Sequence, residues 1–211
     1  MICQTGQKDT VNSKCTKIER ILKVNNMQSI LCQFEDYREM VKTKARKQSN
    51  RKENPRCLAD GNELLRFYAT TTLCSFGLNG SSSLCRSINC GACRILRNGF
   101  FTGKDFLGHI GIFATSNSER ALRYACAQER QFKRKALFVC RVIAGKIRSP
   151  VRKLEQGFSV GSGFDSLAWK VGRNKNVEEL FLLNPRALLP CFVVIYKTWN
   201  KCTLRFLFGL D

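Results

Sequence analysis

The sequence predicts an α+β protein, and three observations predict it. Residues 135–145, Lys-Ala-Leu-Phe-Val-Cys-Arg-Val-Ile-Ala-Gly, form a short apolar run that reads as a central strand. Two further runs, Leu180–Leu183 and Ala187–Tyr196, flank an Asn184-Pro185 turn and read as strands buried on both faces. Helical patterns occur near 18–41 and 118–132 without strict alternation with the strands, which favours α+β over a doubly wound sheet.

A chain of 211 residues fits one domain with room for an appendage, and an apolar share of 44% is ordinary for a globular protein. The charge is less ordinary: 36 Lys and Arg against 16 Asp and Glu leave a formal +20, which favours acidic partners. Twelve cysteines would suggest disulfides in a secreted chain. The first residues, Met1–Gln7, show no basic region followed by an apolar one, so no signal peptide is visible. No apolar run reaches the roughly 20 residues of a membrane span. The expectation is a nuclear or cytoplasmic protein, away from membranes, with reduced and mostly buried thiols.

Residues 1–14 are polar and without period, and read as a disordered end. From Cys15 onward Ile18, Ile21, Leu22, Met27, Ile30, Leu31, Phe34, Tyr37, Met40 and Val41 recur at three- and four-residue steps. That is a helical stripe, with a break at Asn25-Asn26. Eight Lys or Arg and two Glu lie from Arg38 to Arg56, so residues 15–56 read as a basic amphipathic helix and linker ahead of the domain at 57–197. Three readings of this segment stay open: a helix packed on the domain, a calmodulin-type ligand anchored by Phe34 and Tyr37, and a nucleic-acid or phosphate contact. The Lys42–Lys52 tract also suits a nuclear import signal.

Asp60-Gly61-Asn62 reads as a turn and Glu63–Leu73 as the strand that opens the domain. The Gly77–Ser83 loop lacks the Lys-Ser/Thr ending of a phosphate-binding loop. Cys74, Cys85, Cys90 and Cys93 follow, the last two with the C-x2-C spacing of a zinc knuckle. Convincing sites pair two knuckles, and with only one present the preferred reading is burial as small apolar residues, with no metal. The single His109 excludes a Cys2His2 finger. Gly111–Thr115 reads as a strand, Ser116 or Asn117 as the cap of a helix over 118–132, and 146–176 as a mobile loop region. Glu179 stands at the mouth of a buried strand, where a carboxylate needs a reason. The tail 198–211 has no assignable role.

Lys17–Val24, Ala59–Phe67, Val139–Gly145 and Asn184–Pro190 carry a resemblance. Residues 62–197 resemble the catalytic domain of poly(ADP-ribose) polymerases. Residues 15–197 look more closely like the C-terminal half of plant Cys2His2 zinc-finger proteins that carry such a domain. The finger itself is not in this sequence, so the chain resembles a truncated member or a fragment. The resemblance implies split antiparallel sheets with flanking helices and an NAD⁺ site. The family's His-Gly-Thr, which holds the adenosine ribose and the nicotinamide amide, matches Tyr68-Ala69-Thr70. Its aromatic pair around nicotinamide matches Phe113 and Tyr124, and its amide-binding Ser matches Ala121. Its catalytic Glu, which stabilises an oxocarbenium-like transition state, matches Glu179. Gly163–Ser166 and Pro190 match two further short features. Of the His-Tyr-Glu triad only the Glu remains, at Tyr68, Phe113 and Glu179. The resemblance therefore implies a regulatory or interaction pseudoenzyme ahead of its alternative, an active NAD⁺-dependent ADP-ribosyltransferase acting on proteins. A third reading is a calmodulin- or nucleic-acid-binding protein working through 15–56.

Overall fold

The computed structural model describes residues 16–47, 55–104, 110–128, 134–148, 163–171 and 177–198. In chain order these form β1 (Thr16–Lys23), α1 (Gln28–Lys47), α2 (Pro55–Asp60), β2 (Glu63–Thr71), α3 (Gly91–Asn98) and β3 (Gly103–Lys104). There follow β4 (Ile110–Thr115), α4 (Ser118–Gln128), β5 (Arg134–Ile143), β6 (Ile147–Arg148), β7 (Ser166–Val171), β8 (Val177–Leu182) and β9 (Leu188–Thr198). The strands join in one sheet, ordered β1-β9-β5-β2-β4-β8-β7-β6, with β3 pairing β4 off this path. Every pairing is antiparallel except β6 with β7. The α+β class expected from the sequence is the one observed.

β5 is the centre. It is laddered along its length to β2 on one side and to β9 on the other, and Ala136, Leu137 and Phe138 are buried. A strand covered on both faces has no use for polar alternation, which is why its sequence reads as a continuous apolar run. The turn before β2 forms as its residues dictate: Gly61 and Asn62 take positive φ, 72° and 57°, and the Asp60 carboxylate accepts from the Glu63 amide. On the other side β2 meets β4 through a single register pair, Phe67 with Thr115. The sheet is thus two laddered halves joined by a thin seam.

The first expected helix is corrected at its start. Residues 18–22 belong to β1, an edge strand on β9, and the helix begins only at Gln28, after the Asn25-Asn26 break. A bulge explains the misleading period. The register slips between Ile18 and Arg20, so Ile18 opposite Tyr196 and Ile21 opposite Val194 share a face although three residues separate them. Three-residue steps that mimic a helix are therefore made by a strand with one extra residue.

α1 lays Ile30, Phe34, Tyr37 and Val41, one stripe at helical spacing, against the same sheet. Burying each such side chain contributes about 1.5–3 kcal/mol. Arg38 and Arg141 cover the Phe34 ring at 5.1 and 5.3 Å. Residues 15–56, expected ahead of the domain, so contribute an edge strand and a core helix.

Further elements were not expected, the short α2 and β3 among them. β6 and β7 lie inside 146–176, and α3 lies in the cysteine-rich stretch. Asp165 holds the first region in place by accepting from the Lys146 amide and the Lys44 ammonium, each at 2.8 Å, while Ser166 Oγ donates to the Ala144 carbonyl at 2.7 Å. The expected α4 cap and the Asn184-Pro185 turn both form. Asn117 caps α4 by accepting from the Arg120 amide at 2.9 Å, and Asn184 caps the short 3-10 turn Pro185–Ala187. The expected disordered end at 1–14, part of the basic tract, His109, and the tail beyond Thr198 lie outside the described residues. Among the described residues, no helix is long and apolar enough to cross a membrane.

Candidate functional site

The side-chain alternation of strands sorts the predicted site residues onto two faces. Register pairs Phe113 with Phe181 and Thr115 with Glu179 on β4 and β8, and Phe67 with Thr115 across the seam. Phe113, Thr115, Glu179 and Phe181 therefore share one face with Phe67 and Ala69, and α4 lies over it. Tyr68 and Thr70 project from the opposite face. There the Tyr68 ring meets Phe100 edge-on at 5.1 Å, and Thr70 lies against Gly91, where any Cβ would collide with its hydroxyl. The structure thus brings together Glu179, Phe113 and Tyr124, packs Ala69 with Ala121 and Ala125 of α4, and sends Tyr68 and Thr70 away.

Glu179 is 3% exposed. A carboxylate at that depth costs free energy unless it is hydrogen-bonded. Arg120 supplies bonds, its Nε donating to Oε1 at 2.8 Å and its terminal nitrogen donating to the same oxygen. The Asn117 cap sets the first turn of α4 at the end of β4, from where Arg120 reaches the neighbouring strand. Its neighbour Glu178 points to the other face and pairs with Arg66. Fifty-nine residues separate Glu179 from Arg120, and no local pattern marks the pairing.

Phe113 and Tyr124 are stacked on each other, ring centroids 4.0 Å apart and planes 17° from parallel. A flat ring held between them would need about 7 Å, two van der Waals gaps. The two rings fill the space a sandwiched ring would occupy, and Leu167 and Phe181 pack against them. Among the three residues matched to the triad, only Phe113 and Glu179 share a face.

Away from this site the four thiols of Cys74, Cys85, Cys90 and Cys93 converge, their Sγ atoms all within 4.8 Å of one another. The objection that one knuckle is too few gives way, because the irregular chain after β2 brings Cys74 and Cys85 onto the Cys90–Cys93 pair at the start of α3. Such a group can hold a metal ion. Burial pushes the Cys93 thiol up. At Cys74 burial is outweighed by hydrogen bonds involving the Phe76 backbone and the neighbouring thiols, which bring it down to about 7.

No protein-family model matches this sequence, and no curated protein matches it.

Proposed function

We propose that the chain is a catalytically silent module of the ADP-ribosyltransferase type, which regulates or binds and does not transfer ADP-ribose. What carries this reading is the closed aromatic slot, Phe113 on Tyr124 at 4.0 Å, with the adjoining Glu179 carboxylate taken up by Arg120. A carboxylate that must stabilise a developing cation works best when its charge faces the reacting centre, and here a guanidinium occupies it. Tyr68, which the resemblance matches to the family's ribose-binding His, lies on the face away from Glu179. The +20 balance supports an acidic partner.

Differential scanning fluorimetry with millimolar NAD⁺, followed by incubation with labelled NAD⁺, tests the proposal. A ligand that binds only the folded state raises Tm. The expected result is no rise and no label on any protein present. A concentration-dependent rise, with label transfer that Glu179→Gln abolishes, overturns the reading in favour of the active transferase.

A further inference from the structure

We propose that Cys74, Cys85, Cys90 and Cys93 form a structural Zn²⁺ site that fastens the long loop after β2 to the start of α3. The site is independent of whether the chain transfers ADP-ribose. A tetrahedral zinc tetrathiolate has Zn–S bonds of about 2.3 Å, which places its sulfurs about 3.8 Å apart. Cys74 Sγ lies 3.9 Å from Cys90 Sγ and 3.5 Å from Cys93 Sγ, and all four sulfurs lie within 4.8 Å of one another. A disulfide needs about 2.05 Å, and these cysteines are free. Packing as small apolar residues would bury the side chains without requiring four sulfur atoms to face one point. The short separations also fit a single ion, since thiols on a multi-iron cluster bind different irons and stand further apart.

The surroundings are those of a closed site. Cys90 and Cys93 are fully buried, at 0% exposure each, and Cys74 and Cys85 are partly so. Four sulfur ligands complete the tetrahedron and leave no position for water or substrate, which makes the role structural. Cys90 takes the N-cap of α3 without a side-chain capping bond, and Cys93 is one turn on, so the pair faces the same way. The Leu73 amide donates to Cys90 Sγ at 3.4 Å, the kind of outer contact that supports a metal-bound thiolate. Arg134 holds the strand-side ligand in place by donating to the Cys74 carbonyl at 2.5 Å and the Phe76 carbonyl at 2.8 Å.

The fold gives the ion something to do. No helix or strand lies between Thr71 and Gly91. A compact domain seldom contains an irregular connection longer than about 12–15 residues without a constraint. Zinc at these thiols would close this one in the folded state, at the end of β2 where Gly91 packs on Thr70.

The test uses the full chain, purified under reducing conditions without chelator and assayed for metal by mass spectrometry. The expected result is about one zinc per chain, lost in the double variant Cys90→Ser, Cys93→Ser and kept in Cys32→Ser, an exposed thiol outside the cluster. Chelation should lower Tm, and added zinc should restore it. Should the double variant fail to fold, cobalt decides on the wild-type chain. Stripped, reduced protein should take up about one Co²⁺ with the intense sulfur-to-metal bands of a tetrahedral tetrathiolate. Failure of that protein to bind either metal stoichiometrically overturns the proposal, as does zinc retained in full by the double variant.

Discussion

Glu179 and Glu63 are both carboxylates at the boundary of the core, and each is settled by arginines from elsewhere in the chain. For Glu179 the arginine is Arg120, itself 43% exposed along its side chain, so the pair has one end in solvent and one in the core. Arg120→Ala withdraws charged donors from a buried acceptor. It should destabilise the fold by about 2 kcal/mol, read as a lower denaturant midpoint at unchanged slope, with Arg120→Lys recovering part of the loss. An unchanged midpoint would show the pair to be dispensable. Glu63 is held by Arg141 at 2.5 Å and by Arg38 at 2.5 Å. Burial pushes its carboxyl up, but the Arg141 and Arg38 guanidiniums outweigh it and hold the group below its ordinary value of 4.5. A carboxyl lowered on folding stabilises above its unfolded pKa, and that contribution disappears as pH falls through the folded value. Glu63→Gln should therefore cost on the order of 1 kcal/mol at neutral pH. The difference from wild type should shrink to nothing in denaturation curves taken stepwise into acid. A difference that stayed constant down the series would rule out the ionic origin.

At the scale of elements, what was legible followed from how local each signal is. β2, β4, β5, β8, β9 and α4 could be read because their burial on one or both faces writes a run or a stripe into adjacent residues. β1 could not, because its bulge between Ile18 and Arg20 exists only in the pairing with β9 and turns a period of two into a step of three. α3 was hidden by its cysteines, residues with no helical signature of their own, and β7 by the glycines before it. In the candidate site the Glu179 carboxylate and the Phe113–Tyr124 pair could be singled out, while Arg120 and, elsewhere, the tetrathiol group could not, since both depend on contacts between distant segments. α1 shows the same limit from the other side: its stripe was clear, but whether that stripe faced a partner or the protein's own sheet was not. Phe34 is 1% exposed and Tyr37 4%, so the proposed anchors for a calmodulin-type groove sit inside the core, while Met27 and Met40 are half exposed. Phe34→Ala should accordingly destabilise by about 3–5 kcal/mol, the cost of removing a large ring from a packed interior. A thermal melt within a degree or two of wild type would mean that α1 is not part of the folded core.

For the whole molecule the consequential feature is the seam. β5 has a full ladder on both sides, whereas β4, β8 and β7 join the rest of the sheet through the one register pair Phe67–Thr115, helped by the packing of α4 on one face and, on the other, by the Arg66–Glu178 ion pair and the core that Ile112, Ala114 and Leu182 share with Phe138 and Val142. Cooperative units separate where few contacts cross, so the two halves should open with different free energies. The candidate site lies on the weaker half: Glu179 belongs to β8, Phe113 to β4, and both of their partners to α4. Parting Phe113 from Tyr124 so that a flat ring could enter would require this half to move against the α4 layer. Native-state hydrogen exchange tests the division directly. The amides of Ala136–Val142 should exchange last, and those of Ile112–Thr115 and Leu180–Leu182 at least about tenfold sooner, in a step of their own. A single rate shared by both sets would show that the sheet opens as one unit. The closed slot would then be as stable as the core, and the silence proposed for the site would rest on global stability in place of a local latch.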